Sequence, residues 1–496
     1  MSSFILLRAK LMLKKLTALL AILIASSWVN AQDDFRLIQA VKGQDIATVR
    51  ILLDSGIDVN EIAADGSRAL HWSIHRDNAE ISRLLIEAGI DVNAKNRYEV
   101  AALSLAANNG NSELVSILLE SGAFPNTAMA ENETALMTAA RTGVIESVEM
   151  IIDAGADVNQ RESWRGQSAL MWAAGEGNLE VVELLIEKGA DISARSTRGF
   201  TPLLFAAREG KTETVKSLLD LGADINEALP AGRAVVTENG LADGAQTGMT
   251  PLLMAIGSAH FETAALLLDR GADPNAAPLG WGPIHQITWI RKAGQAGSNN
   301  PAPQGSGSLG SLDFTRKLVA AGADLDVRVT QRPPVGVSDL NMRGGTAFLL
   351  AARTADADLM RLLVDLGADP HIPNDDNSTP LMVAAGLGTG APGEDPGTEE
   401  EALEAVEYTL SLGGDINAVD DLGNTAMHGA AYKHLPQVVQ YLYNNGAEIS
   451  IWMQENEYGH TPLKIAAGIH RGMNIVSSTI TEEAIRNILN EFPLPQ

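Results

Sequence analysis

Gly56, Gly89, Gly122 and Gly155 fall 33 residues apart, each inside a variant of the phrase LLDxGADVN. A fixed period of this length means one supersecondary unit stacked many times, because a single such unit cannot bury its apolar face alone. The same glycine returns at Gly189, Gly222, Gly271, Gly322, Gly367, Gly413 and Gly446, and a degenerate last unit runs from Thr461 to about Glu491. That makes about twelve units. Such a chain works by binding, and no residue in it names the partner.

Within the fifth unit, Leu170, Ala173 and Ala174 recur at helical spacing, and Val181, Leu184 and Leu185 do so again a few residues on. Two short amphipathic helices therefore pair in each unit. Thr201-Pro202, Thr250-Pro251, Thr379-Pro380 and Thr461-Pro462 put a capping hydroxyl and a proline at the head of the first helix. The recurring glycine supplies the left-handed residue that ends the second, before a hairpin-like loop to the next unit. TALMTAA, SALMWAA, TPLLFAA, TPLLMAI, TPLMVAA, TAMHGAA and TPLKIAA, each followed by LL-type and GAD-type ends, resemble the ankyrin repeat family from about residue 35 to 491. The resemblance implies an all-α repeat solenoid of about twelve helix-turn-helix units. It also implies a non-catalytic scaffold that holds another protein on the face made by the first helices and the loop tips.

The first 31 residues read as a delivery label. Arg8, Lys10, Lys14 and Lys15 precede an apolar run from Leu16 to Trp28 that is too short to span a bilayer, and Val29-Asn30-Ala31 offers a cleavage site. This predicts Sec export with Gln32 as the mature N-terminus; an uncleaved anchor is the alternative, and Met12 is an alternative start. Cysteine is absent, which excludes a lipoprotein anchor and covalent c-type haem and suits an oxidising compartment. A periplasmic location is expected, with secretion as the alternative.

The expected organisation is 1–31 signal peptide, 32–248 regular units one to six, 249–424 units seven to ten with long insertions, and 425–496 units eleven and twelve with the cap. Removing the first 31 residues leaves 32 Lys plus Arg against 62 Asp plus Glu, a net of −30. That field repels phosphate, so neither nucleic acid nor an anionic membrane is expected as a partner. Stable membrane insertion after cleavage is not expected, and the chain is expected to be a monomer.

If the alanines of each first helix face the stack, the next residue faces the groove. In successive units it is Lys42, His75, Asn108, Arg141, Gly175, Arg208, Gly257, Trp289, Arg353, Gly386, Tyr432 and Gly468. In the fourth unit Met137 with Arg141, or Thr138 with Thr142, are expected on the side away from Leu136, Ala139 and Ala140. Arginines with Trp72, Trp172 and Phe205 nearby are the residue types of binding hot spots; the competing reading pairs the arginines with local acids such as Glu176 and Glu209.

From Gly222 to Gly413 the glycine intervals are 49, 51, 45 and 46, so four insertions interrupt the array. Two extend hairpin loops, around Asn226 to Gly248 and Val327 to Gly345. Two extend the turn between helices, around Ala293 to Gly310 and Gly386 to Gly397. Residues 281 to 345 carry seven basic against four acidic residues in an acidic chain, together with Trp281, Trp289 and Arg291. This stretch reads either as a partner anchor or as the counter-charge of the acidic run from Glu394 to Glu407. The second reading expects Arg291 to hold that run.

Several motifs resemble chemistry without its context. Gly305 to Gly310 and Gly388 to Gly393 each match GxGxxG, but neither follows a strand, so both read as linkers. His71 and His75 have metal spacing, yet His71 stands where the family places a structural histidine that bonds the neighbouring loop, as do His285 and His428. Ser306, Asp313 and His285 form no recognisable catalytic spacing. No enzyme, metal or cofactor is expected. Units seven to twelve, with HQITWIRKAG and AAGLGTGAPGEDPGTEEE, further resemble exported bacterial ankyrin proteins often encoded beside periplasmic cytochromes c. The partner that resemblance implies is a basic periplasmic or cytochrome c-type protein; a secreted effector that binds a host protein is the rival reading, and an enzyme with a loop-built site the third.

Overall fold

The structure is a computed structural model that describes residues 35–230, 248–292, 302–333, 338–390, 392–393, 395–471 and 474–491. The delivery label lies outside the described residues, as do parts of the inserts. Among the described residues the chain forms twelve helix pairs, from Arg36–Lys42 with Ile46–Asp54 to Pro462–Ala467 with Thr479–Glu491. Two compact bodies divide them: residues up to Ala173 with Glu183–Ala190, and Ala174–Val182 with Asp191–Gln496. In each body first helices pack on neighbouring first helices and second on second, so each is an all-α repeat stack.

Local chemistry explains each repeat. Thr201, Thr250, Thr379 and Thr461 accept hydrogen bonds from the backbone N–H three residues on, at 3.3, 3.3, 3.4 and 3.2 Å, with proline at the first helical position. The second helices end at Gly56, Gly89, Gly122 and Gly155, whose φ of +76°, +87°, +88° and +99° a side chain would resist. The asparagine that follows ties repeat to repeat. Asn93 Nδ2 donates to Gly122 O at 3.0 Å while its Oδ1 accepts from Phe124 N at 2.7 Å, and Asn60, Asn126 and Asn275 do the same one repeat on.

Two features differ from the sequence reading. Met137 and Thr138 are buried along with Leu136, Ala139 and Ala140, because the helix Ala135–Thr142 is enclosed by Ala102–Asn109 and by its own partner Ile145–Asp153. Only Arg141 and Thr142 reach solvent. The second departure is a short antiparallel pair, Ile469–Arg471 with Asn474–Val476, joined in the register Ile469 to Val476. It follows Gly468, whose φ of +134° ends the helix Pro462–Ala467.

The insertions fall in four connections. Two separate successive repeats, after Asp220 and after Ala320, and two separate the helices of one repeat, after Ile290 and after Ala384.

Candidate functional site

On the first body, cations and aromatics of the first helices pair with one another. Lys42 Nζ lies 4.0 Å from the centre of a Trp72 ring, and the Arg141 guanidinium lies 4.9 Å from a Trp172 ring. Each is a cation of one repeat seated on a tryptophan of the next, an arrangement that favours attraction by the ring face. Arg141 also donates to Asn108 Oδ1 at 3.2 Å. His75 is exposed and meets Trp72 edge to face at 5.9 Å. Trp72 and Trp172 are half-buried, so part of each ring stays available.

On the second body Arg208 sits over Phe205 and Phe200 at 5.1 and 5.2 Å and donates to Glu209 Oε1 at 2.8 Å. Phe205 itself is only 7% exposed. Trp281 is 3% exposed, against the surface role expected of it, because it packs edge to face on Trp289 at 5.1 Å. Trp289 is half-buried.

Arg291 and Lys292, at the start of one insert, are committed inside the molecule. Arg291 forks onto Asp356, Nε to Oδ2 at 2.6 Å and Nη2 to Oδ1 at 3.1 Å, with a further short bond to Ser311. Asp356 is 2% exposed and also caps the helix Ala357–Asp365 through Leu359 N. The expectation that Arg291 holds the acidic run is thereby corrected: its neighbour Lys292 does so, donating to Glu401 Oε1 at 2.6 Å. The fork geometry of arginine suits the buried carboxylate, and the lysine suits the more exposed one.

Arg353 is drawn to Asp395 at 3.8 Å and donates to Ser338 Oγ at 3.4 Å, both within the inserts. Lys433 is buried, and its Nζ donates to Pro396 O at 2.6 Å; burial pushes its pKa down to about 8. Glu399, Glu400 and Glu401 open the helix Glu399–Ser411, where the helix dipole favours acids, and Glu401 completes a capping box with Thr398. Much of the acidic run is thus a helix start.

The Gly305–Gly310 segment is a docked strap. Ser306 N donates to His260 Nδ1 at 2.9 Å, and Ser308 N to Glu262 Oε1 at 2.7 Å. Ser308 thereby holds the Glu262 carboxyl below its ordinary value, and burial lowers His260. The Ser306 hydroxyl also meets His260, not His285. Because the amide occupies the Nδ1 lone pair, that imidazole is not placed to activate the hydroxyl.

The three family-type histidines are structural. In each, Nδ1 accepts from a backbone N–H at the head of its own helix while Nε2 meets the carbonyl of the next loop: His71 with Val100 at 3.1 Å, His285 with Val327 at 2.9 Å, His428 with His460 at 3.2 Å. Both ring nitrogens of His71 are so occupied. Among the described residues no group of three or more His, Asp or Glu could hold a metal, and no helix is long and apolar enough to cross a membrane.

Tyr432, the eleventh groove position, is half-buried and accepts from Asn456 Nδ2 at 3.0 Å. It borders a cavity of about 650 Å³ in the second body, between the 338–343 segment and the loop tips at Asp376, Asp420 and Tyr458. Sequence reasoning missed this cavity, since nothing in a 33-residue period shows where an insert folds back. Tyr458 gave no distinct signal, since Tyr98, Leu279 and Leu422 stand at the same tip position of other repeats.

Comparison with known proteins agrees with this geometry. The family described as "Ankyrin repeats (3 copies)" matches residues 11–96, 94–162, 136–228 and 398–477. "Ankyrin repeats (many copies)" matches 204–268 and "Ankyrin repeat" 343–375. The chain belongs to the ankyrin repeat family. A curated relative, human Ankyrin repeat and SOCS box protein 16, is 32% identical over 150 residues, 30% of this chain and 27% of its own length. The chain thus spans about a quarter of that relative. A solved structure, the human ASB11 ankyrin repeat domain, is 21% identical with a TM-score of 0.41, over 48% of this chain and 98% of its own.

Proposed function

We propose that this ankyrin protein is a non-catalytic scaffold of the bacterial periplasm that binds a basic partner protein through its first-helix surface and inserts. Ankyrin repeats are protein-interaction modules, and the finer reading rests on this chain's own residues. The observation that carries it is the pairing of Lys42 with Trp72 and Arg141 with Trp172, which preorganises half-buried aromatic faces of the hot-spot kind at little entropic cost. The net charge of −26 supports a basic partner by steering. The charged segment, apolar run and small residues ahead of Gln32 support export.

Affinity capture with the mature chain from its own periplasmic extract tests this reading. One protein of basic character should be retained at low salt and lost from a Trp172→Ala variant. Retention that ignores both salt and Trp172, or a chain found only in the cytoplasm with residues 1–31 attached, would refute it. Recovery from the culture medium instead of the periplasm would favour the effector reading.

A further inference from the structure

The cavity beside Tyr432 exists because of the inserts. Residues 338–343 form one wall, fastened by an antiparallel bridge between Ser338 and Thr389 and by Ser338 Oγ donating to Gly388 O at 2.9 Å. A plain array has neither segment, so this enclosure is additional to the open groove of a repeat stack. At about 650 Å³ it has the size of a small-molecule site and exceeds one side chain.

Its charges decide what it takes. Of the basic lining residues, Arg332 donates to Ser338 O at 2.9 Å, and Arg343 is drawn at 3.8 Å to Asp375, which does not line the cavity. Of the three lining acids, Asp339 is engaged elsewhere and Asp420 is saturated: it accepts from Leu422 N, Asn424 N, Ser378 Oγ and Asn424 Nδ2. The Asp376 carboxylate accepts one bond, from Asn341 Nδ2 to Oδ1 at 2.8 Å, and its Oδ2 has no partner among the described residues. Tyr432 and Tyr458 line the same cavity, and Tyr458 is 63% exposed. A carboxylate oxygen with spare capacity in a cavity that aromatic rings also line is the chemistry that recognises a cation.

We propose that this cavity receives a basic side chain, arginine or lysine, of the partner protein, with Asp376 as the counter-charge and Tyr458 as the ring that covers it. The volume left over accommodates the backbone on either side of that residue. This rests on the scaffold reading above and names the group that reading leaves open.

The test uses the full mature chain and four probes followed by saturation-transfer NMR: N-acetyl-arginine methylamide, its lysine counterpart, the uncharged citrulline counterpart, and agmatine as a free small cation. The capped arginine and lysine should bind about tenfold more tightly than citrulline, as expected for one charge-assisted bond. Asp376→Asn keeps an oxygen for Asn341, so melting should be unchanged while binding falls about tenfold. Tyr458→Ala, at an exposed tip, should weaken binding several-fold. Equal binding of citrulline, or full binding by Asp376→Asn, overturns the proposal. Agmatine binding without capped arginine binding overturns the choice of a protein side chain. Capture from extract separates the two readings: a partner retained equally by Asp376→Asn sinks the cavity and spares the scaffold, whereas selective probe binding with no captured protein sinks the scaffold and spares the cation selectivity.

Discussion

Lys292 donates to Glu401 at 2.6 Å across 109 residues of sequence, tying the start of one insert to the helix that follows another. One residue earlier, Arg291 forks onto Asp356. The adjacent cations sit in different surroundings, since the Arg291 and Asp356 side chains are 14% and 2% exposed while those of Lys292 and Glu401 are 25% and 38%. Their removal should therefore cost different amounts.

Arg291→Met leaves the Asp356 carboxylate buried and uncompensated, which costs about 3–5 kcal/mol. Lys292→Met breaks a more exposed pair and should cost at most about 1 kcal/mol, an effect that salt reduces. Urea unfolding of both variants at low and high salt checks this. Equal losses, or a harmless Arg291→Met, would contradict the burial argument.

The repeat count and the place of each insert were legible because glycine spacing and helix caps are local signals, written in every unit. The groove positions were legible only in part. Helical periodicity locates Arg141 and Tyr432 on a face, but it cannot show that Met137 is enclosed by a neighbouring helix. Nor can it show that Trp281 lies against Trp289. Charge counting left a partner anchor and a clasp on the acidic run both open, with Arg291 as the clasp's residue; in the structure Lys292 bonds that run and Arg291 bonds Asp356. One position decides that difference, and it depends on the backbone path through the insert, which no period encodes. The cavity at Asp376 was illegible for the same reason.

Acid should weaken this fold through its histidines. Burial pushes His285 and His428 each down to about 4, and lowers His71 as well. An unfolded histidine takes a proton near pH 6.5, so between about 6.5 and 4 the unfolded chain binds more protons than the folded one. These groups' stability is thus fully present above the unfolded value and is lost as pH falls toward 4. Melting temperature should drop through that window, and His428→Gln should flatten the drop. An imidazole of His428 that titrates normally by NMR would refute this.

The strap at Gly305 is a second local test. A Cβ there would collide with the Ala259 carbonyl oxygen, a backbone atom that cannot swing aside. Gly305→Ala should lift the segment from His260 and Glu262, breaking the bonds from Ser306 N and Ser308 N. Hydrogen exchange at Ser306 and Ser308 should accelerate while the helix Phe261–Asp269 keeps its protection. Unchanged exchange at both amides would show that the strap is held by other contacts.

The paired cations on the first helices make the last prediction, because pairing and partner binding respond differently to the same change. Arg141 lies on a Trp172 ring and is exposed, so Arg141→Ala removes a surface cation–aromatic contact of about 0.5–1 kcal/mol and should barely alter melting. If the tryptophan face is the contact surface, Trp172→Ala should weaken partner capture by roughly 2 kcal/mol, on the scale of a hot spot. Arg141→Ala should weaken it less, since it frees the ring while losing the residue that orients it. A Trp172→Ala chain that melts much earlier yet still captures the partner fully would make the tryptophan a packing residue. Capture lost in Trp172→Ala with melting preserved would place the partner on that ring.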